Sequence, residues 1–114
     1  MCPTGFIIIC QDKTISNNLD RYMKDIGIVA QSILLMATEE GLGGCMIGNF
    51  SPGEIREGLD LPEHLHPMLV VALGKPAETI ILTEVGEDGK TAYYRDENDI
   101  HYVPKRSLKE LLIN

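Results

Sequence analysis

The chain has 114 residues, a formal net charge of −7 and a sequence pI near 4.8. That length fits one domain with a real core, burying roughly two thirds of the unfolded surface without help from disulfides or metals. The acidic balance argues against nucleic acid or an anionic membrane as partner, and no apolar run reaches the about 18 residues of a membrane-spanning helix.

Gly5 to Gln11 (Gly-Phe-Ile-Ile-Ile-Cys-Gln) is a short apolar run rich in β-branched residues. It predicts a buried strand with neighbours on both sides. The polar segment Asp12 to Asp20 reads as a loop. Asp25 is a plausible N-cap for the next helix, which could equally begin a turn earlier. Ile26, Val29, Ala30, Ile33, Leu34, Met36 and Ala37 fall on the i, i+3, i+4 grid, and Ile28 and Leu35 fill much of the opposite face. A helix apolar nearly all round must be covered, so part of its surface is expected to be a subunit interface. Gly41 supplies its C′ position.

Cys45 to Phe50 is then expected to be extended. Ser51-Pro52-Gly53-Glu54 has the pattern of a helix start, with Ser51 as N-cap, Pro52 at N1 and Glu54 at N3; that helix should run to about Leu59 and end before Pro62. Pro67 to Gly74 predicts a second buried strand. Ile80 to Val85 and Thr91 to Tyr94 flank Gly86-Glu87-Asp88-Gly89, which signals a hairpin. Asp96 to Asp99 is a polar turn, Ile100 to Val103 is extended, and Ser107 to Leu112 is a short closing helix. No repeat or internal boundary interrupts residues 1–114, which are expected to form a single domain.

Few segments carry chemistry. Gly41-Leu42-Gly43-Gly44-Cys45-Met46-Ile47-Gly48 holds four glycines in eight positions, which permits close approach of a flat ligand to the main chain. The plain alternative is a helix cap followed by a strand. A dinucleotide fingerprint is excluded, because here the glycines close a helix instead of opening one. Glu63, His64 and His66 lack a nearby third strong ligand and read as a solvated loop, so no metal is expected. Pro104-Lys105-Arg106-Ser107 sets two cations before a helix start, which suits a phosphate but equally describes an exposed loop. Cys2, Cys10 and Cys45 are odd in number and lack C-x-x-C spacing, so they read as free thiols acting as small core residues. With no basic segment before Phe6 to Cys10, and that run too short for a signal peptide, a cytoplasmic location is expected.

Taken in order, several of these segments resemble the FMN-dependent nitroreductase family. They are the helix from Asp25 with Ala30-Gln31 and Leu34-Leu35-Met36-Ala37-Thr38-Glu39-Glu40-Gly41-Leu42-Gly43-Gly44, then Cys45-Met46-Ile47-Gly48-Asn49-Phe50. Gly58-Leu59-Asp60-Leu61-Pro62-Glu63, Val71 to Glu78 and Pro104-Lys105-Arg106 follow. The likeness spans residues 5 to 112. It implies an α+β fold, with a nitroreductase-like mixed sheet packed on a long central apolar helix. It also implies a homodimer with the flavin at the subunit interface. The implied reaction is ping-pong, with two electrons passing from NAD(P)H through FMN to an electron-poor small-molecule acceptor.

By the same resemblance, Met46, Ile47, Gly48 and Asn49 pass along the isoalloxazine ring, with N–H groups near Gly48 and Asn49 facing its N5 and O4. Lys105 and Arg106 match basic residues that reach the FMN phosphate. No side chain is singled out as a catalytic acid or base. The family's usual N-terminal segment, with an Arg-x-Ser-x-Arg phosphate grip, has no counterpart here, so an N-terminally truncated version of the fold is expected. Two alternatives therefore stay open. One is a non-catalytic dimeric remnant that binds flavin weakly or serves only as structure. The other is a half-domain that docks on a separate chain through its apolar helix.

Overall fold

The computed structural model describes residues 3–113, so Cys2 lies outside the described residues. The chain falls into two compact units, Met1–Pro76 and Ala77–Asn114, each with its own three-stranded sheet.

The first unit runs β1 (Gly5–Asp12), α1 (Met23–Glu39), β2 (Gly43–Ile47), α2 (Pro52–Gly58) and β3 (Leu65–Gly74). Both β1 and β2 pair antiparallel with β3, giving the order β1-β3-β2. Val70, Val71 and Ala72 are buried in succession. Neighbours on a strand point to opposite faces, so the middle of β3 is covered on both sides. α1 packs on β2 and β3, and α2 packs on β3. Pro67 is fully buried in this central strand, where a missing N–H is normally costly. A register shift between Ile9 and Cys10 resolves it: Ile9 faces Leu69 and Cys10 faces Pro67, leaving Met68 as the extra residue of a bulge.

β1 departs from expectation. It is a strand, but it forms an edge, with Phe6 59 % exposed and Ile7 exposed as well. An apolar run shows strand tendency without showing how many neighbours the topology supplies. α1 also begins before Asp25. Tyr22 occupies the N-cap without a side-chain cap bond, and Asp25 lies in the first turn, where its charge still favours the helix dipole. Ala30 and Ala37 are buried against the sheet. Ile28 and Leu35 stand on the other side, 65 % and 62 % exposed. The helix stops in a Schellman motif: Gly41 at φ 74° donates to the Thr38 carbonyl at 3.0 Å, and Leu42 donates to Ala37 at 2.8 Å. α2 starts as the sequence predicts, with the Ser51 hydroxyl accepting from the Glu54 N–H. Of the described cysteines, Cys10 is half-buried but Cys45 is exposed and not part of the core.

The second unit runs β4 (Ile80–Glu84), β5 (Tyr94–Arg95), β6 (His101–Lys105) and α3 (Leu108–Leu111). The expected hairpin between Ile80–Val85 and Thr91–Tyr94 is absent. β4 pairs in parallel with β6, and β6 pairs antiparallel with β5, in the order β4-β6-β5. The Gly86–Gly89 turn does form, with Gly89 at φ 69°, but it releases the chain instead of folding it back on β4. The true hairpin is built on Asp96 to Asp99. The Asp96 carboxylate accepts from the N–H groups of Asn98 and Ile100, both at 2.9 Å, and Asp99 adopts φ 59°, which Asp tolerates.

Candidate functional site

Gly44 explains part of the glycine cluster. A Cβ there would meet Leu34 Cδ2 and lie 2.9 Å from both the Ala72 carbonyl oxygen and Leu73 Cδ2. The close approach inferred from sequence is real, yet the element that approaches is the protein's own helix. Gly48 differs: a Cβ there would meet nothing within 4 Å.

Met46 and Ile47 end β2 opposite Val71 and Val70, and Gly48 and Asn49 leave the ladder. The segment is anchored at both ends, by Gly44 under α1 and by the Ser51 cap of α2. Met46, Gly48 and Asn49 are exposed and Ile47 is half-buried. Among the described residues, no protein acceptor takes the N–H of Gly48 or Asn49. Open space at a glycine, two uncommitted donors and an apolar Met46 side chain form a surface that can hold the acceptor edge of a flat heterocycle.

Lys105 and Arg106 belong to the second unit. Lys105 closes β6 opposite Glu84, and its carbonyl accepts from the Val85 N–H at 3.1 Å. Arg106 lies beside Glu110, with Nη1 3.9 Å from Oε2, and both side chains are half exposed. A pair that long and that wet holds the guanidinium weakly, leaving it able to meet an anion. α3 has only four residues, so it adds little of the dipole expected at a helix start.

The histidine motif is not a solvated loop throughout, because β3 begins at Leu65 and takes in His66, which is half-buried. His66 lies within β3 opposite Gln11, and no group of three or more His, Cys, Asp or Glu able to hold a metal exists among the described residues. The sequence reading missed a polar cluster in the second unit. Arg95 bridges Glu78 at 3.0 Å and Asp99 at 3.1 Å, while His101 Nδ1 lies 3.4 Å from Glu78. Arg95, Asp99 and His101 lie close together around one turn, where the β5–β6 pairing sets Arg95 opposite His101, but Glu78 is distant in sequence and joins them only in the fold. A second omission is Gln11, a buried amide at the end of an Ile-Ile-Ile-Cys run whose Nε2 donates to the Ser16 and Asn18 carbonyls and so ties the following loop to β1.

No helix among the described residues is long and apolar enough to cross a membrane. The profile of the nitroreductase family matches residues 3–75. A Methanothermobacter thermautotrophicus protein, whose name proposes an NADH dehydrogenase or NAD(P)H nitroreductase, is 36 % identical over 76 residues; these cover 63 % of this chain and 40 % of that protein. An NADPH-dependent oxidoreductase of Staphylococcus aureus is 36 % identical over 56 residues, 47 % of this chain and 22 % of its own. Among solved structures, a nitroreductase family protein of Clostridium difficile aligns with a TM-score of 0.55 at 31 % identity, over 64 % of this chain and 45 % of that one. NfrA1 of B. megaterium aligns over 93 % of this chain and 48 % of its own with a TM-score of 0.57; at 23 % identity it speaks for the fold alone. The chain thus spans less than half the length of these relatives, with mixed α+β content in a nitroreductase-like arrangement. Since the family profile runs from before β1 to the end of β3, through α1 and the glycine segment, the chain belongs to the nitroreductase family.

Proposed function

We propose that this chain is a nitroreductase-like flavoprotein subunit that works with FMN and passes two electrons from NAD(P)H to an electron-poor small molecule. The observation that carries the reading is the Gly48–Asn49 corner, with its open face and two uncommitted N–H donors. When bound, FMN would supply the hydride chemistry. The protein's part is binding and orientation. Met46 and Ile47 would lie along the ring, the N–H groups of Gly48 and Asn49 would donate to its acceptor edge, and Lys105 and Arg106 would meet the phosphate. The proposal takes residues 1–114 as one domain of a cytoplasmic protein. It also takes the exposed Ile28–Leu35 side of α1 as the place where a second copy sits, in a nitroreductase-like fold built around that helix.

The test is reconstitution with excess FMN, removal of free flavin, and a visible spectrum followed by NAD(P)H oxidation. A retained, structured flavin band with turnover supports the reading. A colourless, folded protein that oxidises no NAD(P)H refutes it.

The single-turn α3, which adds little helix dipole beside Arg106, favours a second reading, a dimeric subunit that binds flavin poorly and does not turn over. Arg106→Ala separates the two. An FMN site requires affinity to fall about tenfold, the worth of one charge-assisted bond at an exposed position. A remnant shows no change.

A further inference from the structure

We propose that α1 pairs antiparallel with α1 of a second copy, about a two-fold axis midway between Gln31 and Ser32. The inference rests on the proposed second copy at the Ile28–Leu35 side of α1, and it adds the direction and register of the contact. Lys24, Ile28, Gln31, Ser32, Leu35 and Glu39 recur three or four residues apart, so they share one face of the helix. All six are exposed.

A two-fold contact is self-complementary: where one residue meets a second, the second also meets the first. Between antiparallel helices it sets each residue against the one equally far from the midpoint on the other side. An axis between Gln31 and Ser32 lies close to the centre of α1, which runs Met23–Glu39. It sets Lys24 against Glu39, Ile28 against Leu35 and Gln31 against Ser32 of the other copy. Each match is chemically complementary. Neither Lys24 nor Glu39 makes an ion pair among the described residues. Ile28 and Leu35 are both exposed over most of their surface. The Ser32 hydroxyl donates to the Ile28 carbonyl at 2.8 Å, which leaves its oxygen free to accept from the Gln31 amide.

The charges also set the direction. Parallel helices on this face would bring Lys24 against Lys24 and Glu39 against Glu39, and would align the two helix dipoles. The antiparallel register avoids both. The flanking Asp25 and Glu40 fall level with Thr38 and Met23 of the other copy, so no like charges meet there. A partner of unrelated sequence would have to supply the three matches independently, whereas a second copy supplies all of them by symmetry.

The test is analytical ultracentrifugation over a concentration series of the parent chain, Lys24→Glu, Glu39→Lys and the variant carrying both changes, with circular dichroism confirming the fold. Each single reversal should weaken the dimer about tenfold, because the symmetry turns two ion pairs into two like-charge contacts. The double reversal should recover the parent affinity. Disulfide trapping reads the direction in a Cys2→Ser, Cys10→Ser, Cys45→Ser background. Ile28→Cys and Leu35→Cys together should cross-link the two copies, and either change alone should not. A dimer that the double reversal fails to restore, or one that Ile28→Cys or Leu35→Cys alone cross-links, would overturn the register while leaving a second copy in place. A monomer at every concentration would overturn both. FMN retention measured on the same proteins reports the flavin reading separately.

Discussion

Replacing Gly44 by alanine tests the packing of α1 directly. The new methyl would meet Leu34 Cδ2 and sit 2.9 Å from the Ala72 oxygen and Leu73 Cδ2. Leu34 and Leu73 can change rotamer, but the Ala72 oxygen is backbone of the central strand and moves only if β2 shifts against β3. Overpacking of this kind costs about 1–3 kcal/mol, and a backbone obstacle places it near the middle of that range, about 2 kcal/mol. With a urea slope of about 1–3 kcal/mol per molar, the midpoint should fall by about 1 M. Circular dichroism at 222 nm suits the measurement, because α1 is the one long helix among the described residues. Gly48→Ala is the paired control. Its Cβ would meet nothing within 4 Å, so stability should change by less than about 0.5 kcal/mol. An unchanged midpoint in Gly44→Ala, or an equal fall in both variants, would refute the assignment of the two glycines.

Gly41→Ala forces a side chain into φ 74° at the Schellman turn and should cost about 1 kcal/mol, read from the same urea curves. Leu35→Glu places a charge on an exposed site, so the subunit fold should survive while light scattering shows a lower mass than the parent if a second copy sits there. The Asp12 carboxyl is held below its usual range, first by the Thr14 hydroxyl and then by the Thr14 N–H, with His64 adding a smaller attraction. A depressed folded value means that this contribution is present above the unfolded pKa and disappears as pH falls through the folded one. Thr14→Val removes the hydroxyl bond, so the Asp12 titration should move upward toward 3.8 by carbon NMR; an unmoved titration would assign the effect to other groups.

Local chemistry was legible in the sequence where one residue type performs one task. Ser51-Pro52-Gly53-Glu54 reads as a helix start because a hydroxyl, a fixed φ and an acidic side chain satisfy the same end, and α2 begins there. Gly41 reads as a helix stop for an equally local reason. Pairing was less legible. The turn at Gly86–Gly89 carries stronger glycine signals than Asp96–Asp99, yet the second closes the hairpin. A turn sequence specifies a reversal of the chain but not which strand will be opposite. In this unit β6 takes β4 in parallel and β5 antiparallel, a choice made by long-range pairing. The same limit explains β1, whose isoleucines suit a strand with two neighbours although it has one. Gln11 was invisible for a related reason: a lone amide shows its part in the fold only when the carbonyls of Ser16 and Asn18 return to meet its nitrogen.

Two glycines of the Gly41–Gly48 segment are accounted for by folding alone. Gly41 is needed for its φ, and Gly44 because a helix, a side chain and a carbonyl crowd its Cα. Neither requires a ligand. Gly48 has an ordinary φ and empty space around it, so nothing in the fold of this unit forbids alanine there. The consequence is a separation that one pair of variants can read. If the Gly48 corner holds a flavin, Gly48→Ala should weaken FMN retention while the urea midpoint stays with the parent. Gly44→Ala should do the reverse in order, losing stability first and flavin only as the folded fraction declines. Loss of both properties in parallel in the two variants would mean that the segment acts only as a structural joint between α1 and the sheet. The proposed ring contact at Gly48 and Asn49 would then have to be abandoned.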